Sequence, residues 1–311
     1  MTTDNFIPEL WSDKLLTRLK KDMVYRQCVN TDYEGEIKQF GDTVRINTVG
    51  PVTISNYTKN TVNLTPEVIN GAGEPMVIDQ AKYFYFALDD VDKAQVKGAV
   101  MDGAMDEASY GLRDTTDQFI ASTMAAVLGT ATNTMYNGAT LSSTTNPILL
   151  GTSSGVTDAY ELLVDISTLM NKNNVPGGNR FIVVPPDYVG LLLKDPRFTS
   201  FATAGAVQTA KEGSSAGGEM GNLGGILKLL SGLDVYVSNN VPQTGTSPNI
   251  IHTILAGYKG ATSFADQIPE GQPEAFRLQT GFADAVRGIH LYGAKVFRPA
   301  ALVGAYVQFD V

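Results

Sequence analysis

The chain has 311 residues with 23 basic and 32 acidic side chains, a formal net charge of −9 and a pI near 4.8. That balance excludes a surface whose main task is gripping nucleic-acid phosphates. At about 150 residues per domain, the length is enough for roughly two domains with a sizeable core. A single cysteine, Cys28, excludes an internal disulfide, and no stretch reaches the roughly 18 apolar residues that span a bilayer, so a soluble chain with no membrane partner is expected. The opening MTTDNFIPEL lacks a basic segment followed by an apolar one, so no secretion signal is expected and a reducing cytosol fits. Charged residues are only 18% of the chain, as when interface cores cover much of a surface, or when an enzyme has a large core.

In residues 8–23, Trp11, Leu15, Leu19 and Met23 recur every four positions and form the apolar stripe of a short amphipathic helix. Pro8 suits its first turn, Glu9 and Asp13 lie at its positive end, and Lys20 and Lys21 at its negative end. The stripe packs either on its own domain or, as a clasping arm, on a partner.

Across residues 39–78 the period falls to two: Val44 and Ile46, Val52 and Ile54, Val62 and Leu64, Met76 and Ile78. Gly50-Pro51 and Asn70-Gly71 mark turns. The positions between are mostly Thr, Asn, Ser, Lys or Arg, so the strands have one thinly apolar face, and an isolated two-stranded ribbon of this kind is marginal in water. It is either the edge hairpin of a sandwich or a protruding ribbon that completes its burial on a neighbouring subunit.

Residues 92–128 carry a long helical pattern through Met101, Met105, Ala108, Leu112, Phe119 and Met124, up to roughly 55 Å at about 1.5 Å per residue. Gly98, Gly103 and Gly111 each cost about 1 kcal/mol against Ala in a helix interior, so a break or a packing reason is expected. The methionines are packing residues rather than a metal stripe. Residues 130–155 are polar turns and short strands around Ile148, Leu149 and Leu150. Asp158 and Glu161 then have the spacing of a capping box ahead of Leu162, Leu163, Ile166 and Met170. Pro176-Gly177-Gly178 turns the chain into the apolar strand Phe181, Ile182, Val183, Val184, which Pro185-Pro186 stops before a helix ending near Lys194. Helix, tight turn and buried strand make an α/β unit. A helix over residues 226–230, strands over 235–237 and 251–255, and alternating strands over 275–280, 286–296 and 301–309 complete the pattern.

Chemistry is thin. Two histidines, His252 and His290, exclude a multi-histidine metal site and are expected as structural residues of strands. The pattern G-x-S-x-G occurs at residues 151–155 and 213–217, but a nucleophile elbow at Ser153 would lead straight into its helix, and the helix cap at Asp158 lies several residues later. Asp89, Asp90 and Asp92 lack the downstream Gly and Glu of a calcium loop and favour the start of the long helix. The glycine pairs at 217–218 and 224–225 belong to no phosphate loop. No catalytic residue, metal ligand or cofactor is expected.

The order of elements, and the segments FIPELWSDKLL, VNTDYEGEIKQFGDTVRI, VIDQAKYFYFALDDVDKAQ, GLDVYVSNNVP and VRGIHLYGAKVFRPAAL with the strand from Phe181 to Pro186, resemble the major capsid protein of tailed bacteriophages, the Hong Kong 97-type coat fold. The resemblance implies an α+β chain with residues 1–38 as an N-arm and 39–82 as an extended β-loop. Residues 83–155 would be a peripheral domain with a long spine helix, 156–264 an axial α/β domain, 265–298 a return to the peripheral domain, and 299–311 the final axial strand. Contacts between subunits would come from Trp11, Leu15 and Leu19 of the arm and from Arg45, Asn56, Tyr57, Thr58 and Lys59 of the loop.

The implied function is a non-enzymatic coat protein that assembles with itself into pentamers and hexamers of an icosahedral or prolate head. The head encloses double-stranded DNA without sequence-specific binding. Partners would be a separate scaffolding protein, because the arm helix begins within ten residues of Met1, and also a portal, with or without a decoration protein. Its place is the virion, after assembly in the host cytoplasm. Covalent crosslinking of Lys59 to a peripheral Asn is unsupported, since residues 275–298 contain no Asn. An encapsulin-like compartment shares the fold, and a serine hydrolase is the third reading.

Overall fold

A computed structural model describes residues 24–32, 43–49, 52–54, 56, 59, 71–89, 100–151, 156–195, 218–219, 232–247, 249–268, 273–279 and 281–310. The elements in chain order are α1 (Val24–Gln27), β1 (Thr43–Val49), β2 (Gly71–Val77), β3 (Gln80–Asp89), α2 (Val100–Ala125), β4 (Tyr136–Asn137), β5 (Thr140–Leu141) and β6 (Ile148–Leu150). There follow α3 (Ala159–Lys172), β7 (Arg180–Val184), α4 (Pro186–Lys194), β8 (Gly218–Glu219), β9 (Asp234–Val237), β10 (Gln243–Thr244), β11 (Ile251–Tyr258), β12 (Thr262–Gln267), β13 (Glu274–Arg277), β14 (Ala283–Val296) and β15 (Leu302–Phe309). The helices expected over residues 8–23 and 226–230 and both G-x-S-x-G serines, Ser153 and Ser215, lie outside the described residues. So do Gly98, Asp90 and Asp92, whereas Asp89 ends strand β3. Among the described residues no helix is long and apolar enough to cross a membrane.

The larger sheet runs β6-β15-β11-β7-β9-β8, with β10 on the end of β11. β7 sits inside it, antiparallel to β11 and parallel to β9, and all five of its residues are buried. A strand covered on both faces needs an unbroken apolar run, which Phe181, Ile182, Val183 and Val184 supply. Helix α3 covers the sheet with Ala159, Leu162, Leu163, Ile166 and Met170. Arg180 ties the turn between them, donating to Asn171 Oδ1 at 2.8 Å, to the Pro176 carbonyl at 2.8 Å and to the Val175 carbonyl. The expected capping box is not formed: Asp158 stands at the N-cap but its side chain makes no capping hydrogen bond, and the buried face of α3 holds the helix instead.

The smaller sheet is β12-β14-β13, with β3 also on β14. Its centre is the 14-residue β14, which pairs with β3 from Ala283↔Asp89 to Tyr292↔Gln80. Helix α2 crosses both layers: Leu112 packs with Phe84 of the smaller sheet and with Ile268 just past β12, and Ile120, Ala121 and Met124 enter the main core. Phe119 meets Tyr292 edge-on with centroids 5.3 Å apart. For Gly103 and Gly111 the glycine expectation fails. α2 runs unbroken for 26 residues, and Gly103 and Gly111 are exposed with open space where a side chain would stand. The helix carries their propensity cost through the packing of its other face. The sheets are joined by short 3₁₀ turns at Lys259–Ala261 and Pro299–Ala301, where the Phe297 and Arg298 amides both donate to the Ala261 carbonyl.

Candidate assembly surfaces

Strands β1 and β2 form a two-stranded sheet of their own, in register from Thr43↔Val77 to Val49↔Gly71. Gly71, expected in a turn, therefore opens β2. The root of this ribbon is anchored: Met76 and Ile78 are fully buried with Ala265 and Leu291 on one face of the smaller sheet. Gly293 makes the approach possible, because a Cβ there would lie 2.5 Å from the Val77 carbonyl oxygen. Lys295 Nζ donates to the Pro75 carbonyl at 2.9 Å and lies 3.4 Å from Glu74. The far end has no such cover within the described residues. Val52 is 59% and Ile54 97% exposed, and Asn56 and Lys59 are exposed beside them.

The sheet face that receives the ribbon root continues past it into an open groove of about 400 Å³ lined by Tyr83, Tyr85, Phe276, Arg287 and Ile289. Tyr83 is 78% exposed, and the rings of Tyr85 and Phe276 stack in parallel at 6.2 Å. Arg287 lies over Phe276 at 4.9 Å and pairs with Glu274 at 2.7 Å. This aromatic surface was not singled out in the sequence, although the alternation Tyr83-Phe84-Tyr85-Phe86 is its signal. One aromatic of each pair faces out, while Phe84 packs toward α2.

The described end of the amino-terminal segment is held by two carboxylates. Asp117 Oδ1 of α2 accepts the Tyr25 amide at 2.8 Å, and its Oδ2 accepts Asn240 Nδ2 at 3.3 Å. Burial pushes the Asp117 carboxyl up to about 6, against the opposing pull of these hydrogen bonds. Asp266 of β12 accepts Arg26 at 2.6 Å and stands 3.0 Å from His290 Nε2. Burial alone would raise Asp266, but His290 and Arg26 outweigh it and hold the carboxyl below its usual range. Asn30 is stitched in by its own amide to the Thr262 carbonyl and by its carbonyl to the Phe264 amide, both at 2.9 Å.

Of the expected contact residues, Trp11, Leu15, Leu19, Tyr57 and Thr58 lie outside the described residues. Arg45 falls in β1 opposite Pro75, and Asn56 and Lys59 are exposed near the ribbon tip. His252 and His290 lie in β11 and β14 as expected of strand residues, though the contact of His290 with Asp266 was not foreseen. Among the described residues no group of three or more His, Cys, Asp or Glu side chains is placed to hold a metal ion.

The sequence model of a family described as phage capsid protein matches residues 73–305, three quarters of the chain. The chain belongs to the phage capsid protein family. This capsid protein is similar over 99% of its length to a solved chain of Mycobacterium phage Che8, of which 98% is covered, with 26% identity and a TM-score of 0.63. A chain in the capsid structure of the cyanophage P-SCSP1u shares its fold at 19% identity and a TM-score of 0.64, covering 93% of this chain and 89% of that one. A chain in the capsid of Ralstonia phage GP4 does so at 11% identity and 0.62, covering 91% and 88%. A search of curated proteins returns no match. The Hong Kong 97-type coat fold expected from the sequence is therefore the fold of the capsid protein, its role is the structural one of a major capsid protein, and it belongs to a virion shell built by self-assembly.

Proposed function

We propose that the capsid protein forms pentamers and hexamers of a phage head around double-stranded DNA, without catalysis. Assembly takes place in the host cytoplasm on a separate scaffolding protein, and the shell also engages a portal, with or without a decoration protein. The N-arm is residues 1–38, the extended loop 39–82, the peripheral domain 83–155 and 265–298, and the axial domain 156–264 with 299–311. Trp11, Leu15, Leu19, Arg45, Asn56, Tyr57, Thr58 and Lys59 make contacts with neighbouring copies.

The observation that carries this reading is the ribbon. Its root is buried on its own peripheral sheet while Val52 and Ile54 at its far end are largely exposed, so apolar area is left for another subunit to cover. Such contacts are heterologous, joining different patches on the two partners, and heterologous contacts close into rings when the rotation allows. The net charge of −9 supports a shell that holds DNA loosely, since tight phosphate binding would oppose packaging and release. The family match favours a viral head over an encapsulin-like compartment. Expression with and without a scaffolding protein, followed by negative-stain microscopy, tests the reading. Closed shells with five- and six-fold capsomers are expected, and a persistent monomer under both conditions would overturn it.

A further inference from the structure

The segment at residues 24–30 touches two elements of the body at three points. Its Tyr25 amide is on Asp117 of α2, its Arg26 on Asp266 of β12, and its Asn30 in a two-bond bridge to the backbone of β12. Val24, Tyr25, Cys28 and Val29 are buried in the main core, and Arg26 lies over the Phe264 ring at 5.5 Å. Nothing in the coat-protein role requires a carboxylate at the centre of this contact. Asp117 is 3% exposed, and the groups bonded to it, the Tyr25 amide and the Asn240 side-chain amide, carry no charge. The Arg26 guanidinium is engaged with Asp266 instead.

We propose that residues 24–30 are a clasp that opens and closes as a unit, and that the charge on Asp117 sets its grip. An ionised carboxylate surrounded by neutral donors is desolvated when the clasp closes and hydrated when it opens, whereas a protonated one has little to gain from water. The ionisable groups around Asp117 do not reverse this. Asp114, one turn earlier on α2, raises it further; Tyr25 and Cys28 of the clasp are themselves pushed up by burial; and Asp234 and Lys259 act on Cys28 with opposite sign.

The direction follows from linkage. The carboxyl sits near 6 with the clasp closed and closer to its ordinary value of 3.8 when open. The Asp117 contribution to closure is therefore fully present below about pH 4, is lost as pH rises to about 6, and is constant above that, where both states are ionised; Asp266, held below 3.8 by His290 and Arg26, acts in the opposite direction only at lower pH. Each unit of difference is about tenfold in the opening equilibrium, so the two-unit gap amounts to on the order of 10–100-fold. The clasp and its titration stand whether or not the chain forms shells, because the readout is local opening rather than assembly.

Cys28 is the chain's one cysteine, is fully buried and lies inside the clasp, so a disulfide reagent such as 4,4′-dithiodipyridine reports opening directly. Labelling rates of the full-length wild type and of Asp117→Asn are compared from pH 4 to pH 8, the ratio cancelling the intrinsic pH dependence of the thiol. Normalised to pH 4, the ratio of wild type to variant is expected to rise on the order of 10–100-fold by pH 7, most of it below pH 6, and then level off. A ratio that stays flat overturns the proposal. So does one that falls, which would mean the carboxylate holds the clasp more tightly when charged. Hydrogen exchange on the wild type alone covers the case in which Asp117→Asn fails to fold. Intrinsically corrected protection at residues 24–30 should drop over the same pH range while that of Phe181, Ile182 and Val183 holds. A common drop in both would show global loosening and sink the clasp.

Discussion

Two regions of the described β structure, strand β7 and the β1–β2 ribbon, solve the same problem in opposite ways. β7 is a five-residue strand with every residue buried, paired on both edges and covered by α3, so each apolar side chain finds its partner inside the same subunit. The β1–β2 ribbon is longer, pairs only with itself, and buries its apolar residues at one end. An element that cannot complete its burial is unstable as a free object yet well suited to association, because the missing cover comes from another molecule. Stability is concentrated in the large sheet, the proposed function puts assembly in the ribbon, and changes to the two should separate.

The largest separation is expected from removing residues 48–61. The large sheet and its helices should keep their cooperative thermal unfolding by circular dichroism, while closed particles vanish from negative-stain fields. Normal particles would show that the ribbon's outer end is dispensable. The converse change is Phe181→Ala, which empties a fully buried site and should lower subunit stability by about 3–5 kcal/mol in urea titrations. A loss under about 1 kcal/mol would mean that the large sheet is not where the stability lies.

Why the two regions differed in legibility follows from the same contrast. Phe181 to Val184 bounded by Gly177-Gly178 and Pro185-Pro186 reads at once, because a doubly covered strand is a bare apolar run between chain breakers. The ribbon reads from the alternation of Val44, Ile46, Met76 and Ile78, and the register in which β1 and β2 pair bears it out. β3 and β12 escaped. The mixed run QAKYFYFALD of β3 has aromatics on both faces, one set packed toward α2 and one exposed, so it shows no polar alternation. β12 is short, and Asp266 interrupts it for a reason that exists only in three dimensions, the cluster it forms with Arg26 and His290. Those partners lie more than 200 residues away for Arg26, a separation no local pattern reveals. The assembly contacts named from the resemblance are legible only as positions, and what makes Ile54 conspicuous, its near-complete exposure, belongs to the folded chain.

A smaller effect is expected where the regions meet. Gly293→Ala would place a Cβ 2.5 Å from the Val77 carbonyl oxygen and 3.1 Å from the Ile78 Cα, both backbone atoms that cannot rotate aside. The ribbon root must lift from the sheet, at roughly 1–3 kcal/mol by the usual cost of overpacking. Hydrogen exchange should show faster exchange across Gly71–Val77 and unchanged protection in β7. Equal loss in both would mean that ribbon and large sheet unfold together, and the contrast between them would be lost.

The smallest effect is expected at the charged contact on the same root. Glu74 and Lys295 lie 3.4 Å apart with side chains 49% and 35% exposed, so water and salt screen their attraction and about 0–1 kcal/mol is the whole of it. Lys295 also donates to the Pro75 carbonyl, a bond that survives Glu74→Gln. A double-mutant cycle with Glu74→Gln and Lys295→Met should return a coupling within that range, shrinking further in high salt. A coupling several times larger would make the ion pair, rather than the buried Met76 and Ile78, the device that holds the ribbon down. The direction in which the ribbon leaves the sheet would then be set by charge and not by packing.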